Sequence, residues 1–445
     1  MKRSADAPPN TPFLPVVVEY EIRGTEIVRA LRSGQRSHTL AAPLADGLEE
    51  LASSDLKRAW WLSRLRSSRD IAKSPTDRRV LKVVDLFSGC GGLSFGLKEA
   101  AAQLGIDLDI RLAADMDETA AEIYQRNLSP KFFLHGNVDT AVDYRLVFRG
   151  ERAALAYPPE LEHPLLQAIG NVDIVVGGPP CRGHSNLNNR TRRSDDRNSL
   201  YLTVPAIGIA LEARIIVIEN VQAVLNSKPN VVAQARQVLT SNGYGVEEVV
   251  LEATKFGVAQ TRKRHFLIAI RDRANEDLAI AGLLQAMQSE EFLSVKDAIG
   301  DLETPSRSSS FDTPASISEE NQRRINFLFD HDLFELPNEE RPDCHKDGHT
   351  YPSVYGRLYP DAPAGTITGG FLSPGRGRFT HYSQRRGLTP HEGARIQGFP
   401  DFYKFKKPDG SALENKSHSR LIGDAVPPPM SAAIALAALL AAEPD

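Results

Sequence analysis

Cysteine is scarce in this chain: among its 445 residues, only Cys90, Cys181 and Cys344 carry a thiol. None of the three belongs to a Cys-x-x-Cys pair, which argues against a disulfide framework and against a structural zinc site. A lone cysteine in an unusual local sequence is instead a candidate nucleophile. The neighbours of each cysteine therefore decide which of them could do chemistry.

The sequence also shows no pattern typical of a targeting signal or a membrane-spanning segment. We expect no apolar run to reach the length of a membrane span, and the N-terminus, MKRSADAPPNTPF, lacks the apolar stretch of a secretory signal. Apolar residues make up 41% of the chain and charged residues 25%, which is typical of a globular protein. These features predict a cytoplasmic protein without a membrane partner.

The chain has no excess of positive charge, because its formal net charge is -4. That balance counts against a nucleic-acid binder, although a local basic stripe is enough for phosphate contacts. Two arginine-rich runs supply such stripes, and either one alone would be interpreted as a solvated face. The first run contains Arg182, Arg190, Arg192, Arg193 and Arg197. The second run contains Arg376, Arg378, Arg385 and Arg386.

From Val80 onward, strand-like apolar runs alternate with amphipathic helical segments. The predicted strands are LKVVDLF, IRLAAD, VDIVVGG, RIIVIENV, GVEEVVLEA and RHFLIAI. The predicted helices between them include TAAEIYQRN, LYLTVPAIGIALEA and VVAQARQVLTSN. This alternation predicts an α/β fold with a doubly wound, mainly parallel sheet, in which ligands bind at the carboxyl ends of the strands.

Composition divides the chain into four segments. Residues 1–78 form an N-terminal extension of unknown role, with a β-branched run at its start and a helical stretch near its end. Residues 79–274 contain the alternating core. Residues 275–380 are predicted as a small irregular lobe, since charge, Ser and Pro interrupt the alternation there, and residues 381–445 return to the core.

A nucleoside pocket is predicted after the first two core strands. FSGCGG follows the first strand and opens a helix, so its glycines allow a tight turn and close approach of a ligand. Asp115 ends the second strand, where a carboxylate can accept hydrogen bonds from both ribose hydroxyls. Ser94 stands where a dinucleotide fingerprint needs its third glycine. The spacing predicts a nucleoside cofactor without identifying it, and a dehydrogenase stays possible on this ground alone.

Cys181 is the best candidate nucleophile of the three cysteines. It follows a buried strand and a rigid Gly-Gly-Pro-Pro frame, whereas Cys90 and Cys344 are interpreted as small buried apolar residues. Glu219 ends the next strand, so we expect it beside Cys181, where a buried carboxyl can hold a proton for a ring nitrogen. Arg262 and Arg264 alternate before and along a later strand, so the two side chains can point together at a phosphate or a base.

In this order, the motifs DLFSGCGG, GGPPC, ENV, QTRKR, TITGG, QGFP and GDAVPPP resemble those of the DNA cytosine-5 methyltransferase family. The resemblance covers roughly residues 80–440, and the ordered set is far more specific than any single motif. It implies a Rossmann-like methyltransferase fold with a target-recognition lobe. It implies S-adenosylmethionine as cofactor, S-adenosylhomocysteine as product, double-stranded DNA as partner and no metal. The acceptor would be carbon 5 of a flipped-out cytosine that Cys181 attacks.

The same resemblance implies roles for individual residues. Glu219 would protonate cytosine N3, Arg264 would help to hold the flipped base, and Arg262 would hold the active-site loop. The implied cofactor contacts are Phe87, Gly89, Gly91, Asp115, Met116, Asn137, Pro180, Asp424, Ala425 and Val426. The implied DNA contacts are Arg182, Ser185, Arg192, Arg193, Gln260, Gly369, Gly370, Arg376 and Arg378.

Three sites depart from the family pattern. Asn137 stands where an aspartate is usual, and Asp424 replaces an asparagine. Arg182 and His184 replace the glutamine and phenylalanine that commonly follow the cysteine. None of these changes removes a group predicted to be catalytic.

Two alternatives stay open beside DNA methylation. The first is the same chemistry on RNA such as tRNA, although the chain lacks the Cys-Phe-Thr tripeptide of the tRNA-methylating branch. The second is a non-catalytic DNA-binding relative, which Cys181, Glu219 and Arg264 oppose. We expect a monomer, and the sequence leaves open whether a cognate restriction endonuclease accompanies it.

Overall fold

The computed structural model describes residues 16–33, 36–72, 79–180, 200–303, 309–346 and 353–443. Strands and α-helices of these residues are numbered in chain order. The strands are β1 Val16–Arg23, β2 Glu26–Ser33, β3 Arg36–Pro43, β4 Val80–Leu86, β5 Asp107–Asp115, β6 Phe132–His135, β7 Val142–Asp143, β8 Leu146–Arg149, β9 Arg152–Leu155, β10 Glu160–Leu161, β11 Ile174–Gly177, β12 Ile215–Val221, β13 Tyr244–Glu252 and β14 Lys263–Arg271. The helices are α1 Glu49–Ser54, α2 Leu56–Leu65, α3 Gly92–Gln103, α4 Glu118–Leu128, α5 Pro164–Ile169, α6 Leu200–Ala210, α7 Val231–Ser241, α8 Ile280–Met287, α9 Val295–Ile299, α10 Glu319–Asp330, α11 Pro390–Ile396, α12 Asn415–Asp424 and α13 Pro428–Ala442.

A seven-stranded sheet in the order β13-β14-β12-β11-β4-β5-β6 organises the core. The pairs from β12 to β6 are parallel, whereas β14 runs antiparallel to both β12 and β13. The predicted doubly wound, mainly parallel sheet is therefore confirmed. The prediction lacked β6, which is only four residues long and carries little periodic signal.

Both faces of the sheet are covered, which explains why the strands are apolar without alternation. Val83, Ile174 and Val217 face one hydrophobic core, to which α3 and α13 also contribute. Val84, Val175 and Ile216 face a second core, which α6 and α7 share. Because the chain leaves β4 toward β5 on one side and returns to β11 on the other, a crevice opens at the carboxyl ends of β4 and β11.

The C-terminal segment packs into the first core through close contact between α13 and α3. A side chain added at Gly96 would collide with the carbonyl oxygen of Pro428. The segment Asn415–Ala442 is long and apolar enough to cross a membrane by length and composition, so the expectation that no run reaches that length is wrong. Its apolar window is 89% buried inside the protein, where it fills the core.

The N-terminal residues form an antiparallel sheet, β1-β2-β3, followed by α1 and α2. Of these N-terminal elements, the sequence pattern predicts only the first strand and the helical stretch. Arg64 of α2 makes a buried bidentate ion pair with Glu99 of α3, with Nε and Nη2 at 2.8 and 2.6 Å from the two carboxylate oxygens. Arg58 of α2 pairs with Asp297 at 2.5 Å. The extension thus contacts both the sheet domain and the segment after residue 275.

The segment after residue 275 contains more helix than the irregular lobe that the composition predicts, since α8, α9 and α10 lie within it. Its described residues include a column of stacked aromatic and guanidinium groups. The Arg357 guanidinium lies 4.0 Å from the Phe329 ring centroid and 4.5 Å from that of Phe334. Phe334 stacks on Tyr359 at 4.9 Å, and Arg378 lies 4.6 Å from the Tyr359 ring. The predicted boundaries at 78, 274 and 380 stay predictions.

One ionisable group lies inside the central strand of the sheet. Asp85 of β4 is fully buried, and its Oδ2 accepts a hydrogen bond from Ser94 Oγ at 2.5 Å. Burial raises the pKa of Asp85 to about 7, the nearby hydroxyls of Ser94 and Tyr124 oppose that shift, and the nearby charge of Asp115 adds to it. The Asp85 carboxyl therefore costs stability when it is ionised.

We expect Gly96→Ala to destabilise the protein by about 1–3 kcal/mol, because the new methyl group meets the backbone of α13 and cannot be accommodated by a side-chain rotation. Thermal or urea unfolding measures the change. Gly282→Ala is the matched control: Gly282 is exposed on α8 with nothing within 4 Å of an added methyl. That variant should be neutral or more stable by up to about 1 kcal/mol. Equal effects at the two glycines would contradict the close packing of α3 on α13.

We expect Asp85→Asn to stabilise the protein increasingly as the pH rises. Below about pH 4 the carboxyl is protonated in both the folded and the unfolded chain. Between about pH 4 and about pH 7 the wild type progressively loses stability, because the unfolded chain ionises first, whereas the amide of the variant does not titrate. The gain above pH 7 should not exceed roughly 4 kcal/mol. Melting temperatures at pH 5 and pH 8 test this, with the exposed-site variant Asp46→Asn as control. A gain that is the same at both pH values would refute the prediction.

Candidate active site

A strained glycine loop joins β4 to α3 at the crevice. Phe87, Gly89 and Gly91 all have positive φ, at 55°, 53° and 94°. Asp115, at the end of β5, accepts a hydrogen bond from Gly89 N at 2.7 Å and another from Asp117 N at 2.8 Å. Burial raises the pKa of the Asp115 carboxyl, and these two backbone donors act in the opposite direction. The loop and the carboxylate therefore form one hydrogen-bonded unit.

Exposed residues follow the neighbouring strands at the same edge. Met116 comes directly after β5 and is 68% exposed. Asn137 follows β6, Pro180 follows β11, and neither is buried. The structure thus brings the predicted cofactor residues of four adjacent strands to one cleft.

The turn between α12 and α13 borders the start of α3, beside the glycine loop. A side chain added at Gly92 would collide with the carbonyl oxygen of Val426. The Ala425 carbonyl accepts a hydrogen bond from the Gln397 amide at 2.5 Å. Asp424 is exposed, and its carboxylate lies 3.0 Å from where a side chain at Gly369 would begin. The predicted cofactor residues from the C-terminal segment therefore lie near those from β4.

Glu219 and Arg264 form an ion pair where β12 and β14 lie side by side. Arg264 Nε is 2.9 Å from Glu219 Oε1, and the Arg264 and Glu219 side chains are only 13% and 11% exposed respectively. Burial raises the pKa of the Glu219 carboxyl, while the charges of Arg264, Arg262 and His265 act in the opposite direction. A carboxyl in this environment can hold a proton at a higher pH than a solvated glutamate.

The Gly-Gly-Pro-Pro loop after β11 packs against this ion pair. A side chain added at Gly178 would lie 3.5 Å from Glu219 Oε2. Asn220 donates a hydrogen bond from its amide to the Pro179 carbonyl at 3.2 Å. Cys181, which follows Pro180, lies outside the described residues, as do Arg182, Ser185, Arg192 and Arg193. The predicted contact between Cys181 and Glu219 stays a prediction, although the loop that precedes Cys181 contacts Glu219 and Asn220.

Arg262 does not point with Arg264 at a phosphate or a base, so that prediction is wrong. Arg262 is 2% exposed, and its Nη1 donates to the carbonyls of Ile367 and Gly423 at 2.8 and 3.0 Å. It therefore joins the TITGG segment to the end of α12. The alternation argument failed because Arg262 precedes β14 and its side chain enters the core.

Gln260 and Arg378 are also unsuited to the predicted DNA contacts. Gln260 is 0% exposed, and its amide bonds to the Ile396 carbonyl and the Ile367 N–H, both at 3.1 Å. Arg378 is 13% exposed and donates to the carbonyls of Phe334 and Arg357 at 2.8 and 2.9 Å. Both side chains are used inside the protein.

The rest of the second arginine run is divided between surface and interior. Arg376 is exposed and packs on Gly370. Arg385 pairs with Asp330 at 2.7 Å, and Arg386 pairs with the buried Glu392 at 2.6 Å. The run is therefore not a continuous basic stripe, because charge counting along the sequence does not reveal internal partners.

Sequence reasoning missed three residues that hold the cleft together. Asn220 anchors the proline loop, as described above. Arg420 of α12 pairs with Asp117 at 2.5 Å, next to Met116. Tyr403 donates its hydroxyl to the carbonyl of Cys90, inside the glycine loop. Asn220 lies within the ENV motif and Tyr403 follows QGFP, so the motifs pointed to them, but nothing in the sequence identified their partners.

Cys90 is buried, as expected. Its thiol donates to the Leu421 carbonyl at 3.3 Å, and burial raises its pKa to about 12. A thiol with so high a pKa is a poor nucleophile near neutral pH.

Comparisons with known proteins agree with this geometry. The family described as C-5 cytosine-specific DNA methylase matches residues 81–439. Type II methyltransferase M1.BsuMI of Bacillus subtilis is 37% identical over 425 residues, covering 94% of each chain. Type II methyltransferase M.DdeI of Desulfomicrobium norvegicum is 28% identical, covering 80% of this chain and 88% of the relative.

A solved structure supports the fold. The Entamoeba histolytica methyltransferase EhMeth superposes with a TM-score of 0.51 at 15% identity, covering 82% of this chain and all of that chain. Because a family match over most of the chain coincides with a relative of similar length, the chain belongs to the C-5 cytosine-specific DNA methylase family, whose members methylate cytosine in DNA.

Proposed function

We propose that this chain transfers a methyl group from S-adenosylmethionine to carbon 5 of a flipped-out cytosine in double-stranded DNA, with Cys181 as the nucleophile. The observation that carries the proposal is the buried Glu219–Arg264 pair, against which the Gly-Gly-Pro-Pro loop leading to Cys181 is packed. The pair supplies a proton-holding carboxyl and a fixed cation, and with the thiol proposed at Cys181 these are the groups that addition to a pyrimidine ring requires.

The cleft at the carboxyl ends of β4, β5 and β6 fits the nucleoside part of S-adenosylmethionine. Asp115 is partly exposed, so its carboxylate oxygens can accept hydrogen bonds from ribose hydroxyls in addition to its backbone donors. The exposed Met116 can cover an adenine face, and the accessible Asn137 offers an amide carbonyl to the adenine amino group. The cofactor supplies a methyl group on a sulfonium centre.

Glu219 and Cys181 divide the activation of cytosine between them. Carbon 5 of cytosine is a weak nucleophile until a thiolate adds at carbon 6. Protonation of N3 by Glu219 stabilises that adduct, and the raised pKa of Glu219 keeps the required proton available. Carbon 5 then takes the methyl group, and loss of its proton with departure of the thiolate restores the ring.

Arg264 and Arg262 serve different purposes in this proposal. Arg264 orients the Glu219 carboxyl and, being partly exposed, can reach the flipped base. Arg262 touches backbone carbonyls of the TITGG segment and of α12, so it is a positioning residue. It keeps the DNA-facing segment and the cofactor turn at a fixed separation.

DNA contacts are proposed for Arg376, Gly369 and Gly370, which lie beside the cofactor turn, and for the arginines that follow Cys181. Gly369 is exposed beside Asp424, and Gly370 packs against the exposed Arg376, whose guanidinium is available to a phosphate. Gln260 and Arg378 are not part of this proposal, because their side chains are used inside the protein. Asp424 faces Gly369. The aspartate that departs from the family pattern therefore lies between the proposed cofactor site and the proposed DNA-contacting segment.

We expect Cys181→Ser to abolish cytosine methylation while leaving cofactor and DNA binding within about twofold, because the hydroxyl cannot form the adduct at a useful rate. Expression in a host without cytosine methylation, followed by bisulfite sequencing, detects the modification and its sequence context. Cys344→Ser, which alters a thiol that lies outside the glycine loop and has no proposed chemical role, is the control.

The same experiment separates the alternatives. Unmodified DNA together with methylated tRNA from the purified wild type would disprove the DNA assignment. DNA binding without methylation of either nucleic acid would support a non-catalytic relative.

We expect Glu219→Gln to lower kcat on the order of 100-fold or more, because the amide cannot donate the proton to N3. The wild-type kcat should fall as the pH rises through the raised pKa of Glu219, and the variant should lack that decline. Glu252→Gln, at the end of β13 in the same sheet and paired with Lys263 at 3.3 Å, is the control and should retain activity. A variant at Glu219 with wild-type kcat would remove this residue from the mechanism.

A further inference from the structure

Beneath the glycine loop, three buried side chains form a hydrogen-bonded chain that the proposed mechanism does not use. Tyr124 donates its hydroxyl to Ser94 Oγ at 2.9 Å, and Ser94 donates to Asp85 Oδ2 at 2.5 Å. All three residues are 0% exposed. They belong to α4, α3 and β4 respectively, so the chain joins the elements on both sides of the glycine loop.

The end of this chain touches the loop itself. A side chain added at Gly91 would lie 3.0 Å from Tyr124 Cδ2 and 2.9 Å from the Tyr403 hydroxyl, so the Tyr124 ring supports Gly91 directly. At the other end of the loop, Gly89 donates to Asp115. Asp115 and Tyr124 lie on either side of the β5–α4 junction, and the loop is held to that junction at two points.

Asp85, at the inner end of these hydrogen bonds, lowers the stability of the folded protein when its carboxyl is ionised. Among the described residues, its Oδ1 has no hydrogen-bond partner. The groups that act on the carboxyl are the hydroxyls of Ser94 and Tyr124 and the like charge of Asp115, with no cation among them. An asparagine could accept the same hydrogen bond without a buried charge. The cost comes from the charge, whereas the hydrogen bonds depend only on the acceptor oxygen that Asp85 offers to Ser94.

Ser94 transmits the position of Asp85 to the loop. It is the third residue of α3, and the helix begins directly after the glycine loop. A shift of Ser94 therefore moves Gly91, whose carbonyl accepts the first hydrogen bond of the helix from Phe95 N at 2.8 Å. A shift of Tyr124 moves α4 and the residues that precede it, including Asp115.

We propose that Asp85 is a positioning residue that, through Ser94 and Tyr124, fixes the distance between the glycine loop and Asp115 and thereby sets the affinity for S-adenosylmethionine. The proposal rests on the cofactor site proposed above. Asp85 is fully buried, so it acts without touching the ligand. The effect should appear in cofactor binding and not in the chemical step, because Glu219 and Arg264 lie on other strands.

Three variants of the full-length protein test this, with binding of S-adenosylhomocysteine by calorimetry and steady-state KM and kcat for S-adenosylmethionine as readouts. Tyr124→Phe and Asp85→Ala should each raise the Kd and the KM about tenfold, with kcat within about twofold. Asp85→Asn keeps the acceptor for Ser94 and should restore affinity to within about threefold of the wild type.

Tyr244→Phe is the matched control. The Tyr244 hydroxyl is also buried and donates to the Ala213 carbonyl at 2.6 Å, but on β13, the strand at the far edge of the sheet. This variant should lose thermal stability and keep the affinity of the wild type. Tyr124→Phe removes only one oxygen atom, so it keeps the test decisive if Asp85→Ala does not fold.

Unchanged affinity in Tyr124→Phe would overturn the proposal. An equal loss in Tyr124→Phe and Tyr244→Phe, or a loss in Asp85→Asn as large as in Asp85→Ala, would also overturn it, because both results indicate a general structural effect. A wild-type chain that binds no S-adenosylhomocysteine would reject the cofactor site itself and this proposal with it. Normal wild-type binding with no effect of the variants would reject only the role of Asp85.

Discussion

The parallel register of β11, β4, β5 and β6 is the constraint on which the proposed site depends. Because these strands run in one direction, the residues that follow them emerge at one edge of the sheet, where the chain also changes direction between β4 and β11. The glycine loop, Asp115, Asn137 and Pro180 are far apart in sequence and meet only for this reason. The antiparallel β14 then brings Arg264 back to Glu219 from the opposite direction.

The C-terminal segment completes the cleft because the start of α3 lacks the side chains that would exclude it. At Gly92 an added side chain would collide with the Val426 carbonyl oxygen, and Gly96 lies equally close to the backbone of α13. Buried arginines then fasten the outer segments to this frame: Arg64 joins the N-terminal extension to α3, and Arg262 joins the TITGG segment to α12. Each guanidinium has carboxylate or carbonyl partners, as burial of a charge demands.

Much of the fold and of the candidate site could be predicted from the sequence, and the failures have a common cause. Apolar runs in the sequence predicted the strands β4, β5, β11, β12, β13 and β14. The motifs pointed to Glu219, Arg264 and Asp115 as candidate site residues. Arg262, Gln260 and Arg378 were misjudged because polarity alone does not tell whether a side chain faces solvent or a buried carbonyl. The strands β2 and β3 were missed because Arg29, Arg32 and His38 interrupt their apolar pattern.

The sequence by itself determined the family, the direction of the main sheet and the identity of the chemical groups, because these depend on residue type, order and local periodicity. Only the tertiary structure decided which groups are partners. Tyr124 and Asp85 are 39 positions apart, and no local rule connects them, yet they meet through Ser94 in the interior. Hydrogen bonds and ion pairs between distant segments depend on how elements pack, and packing is a property of the whole fold that a linear pattern does not contain.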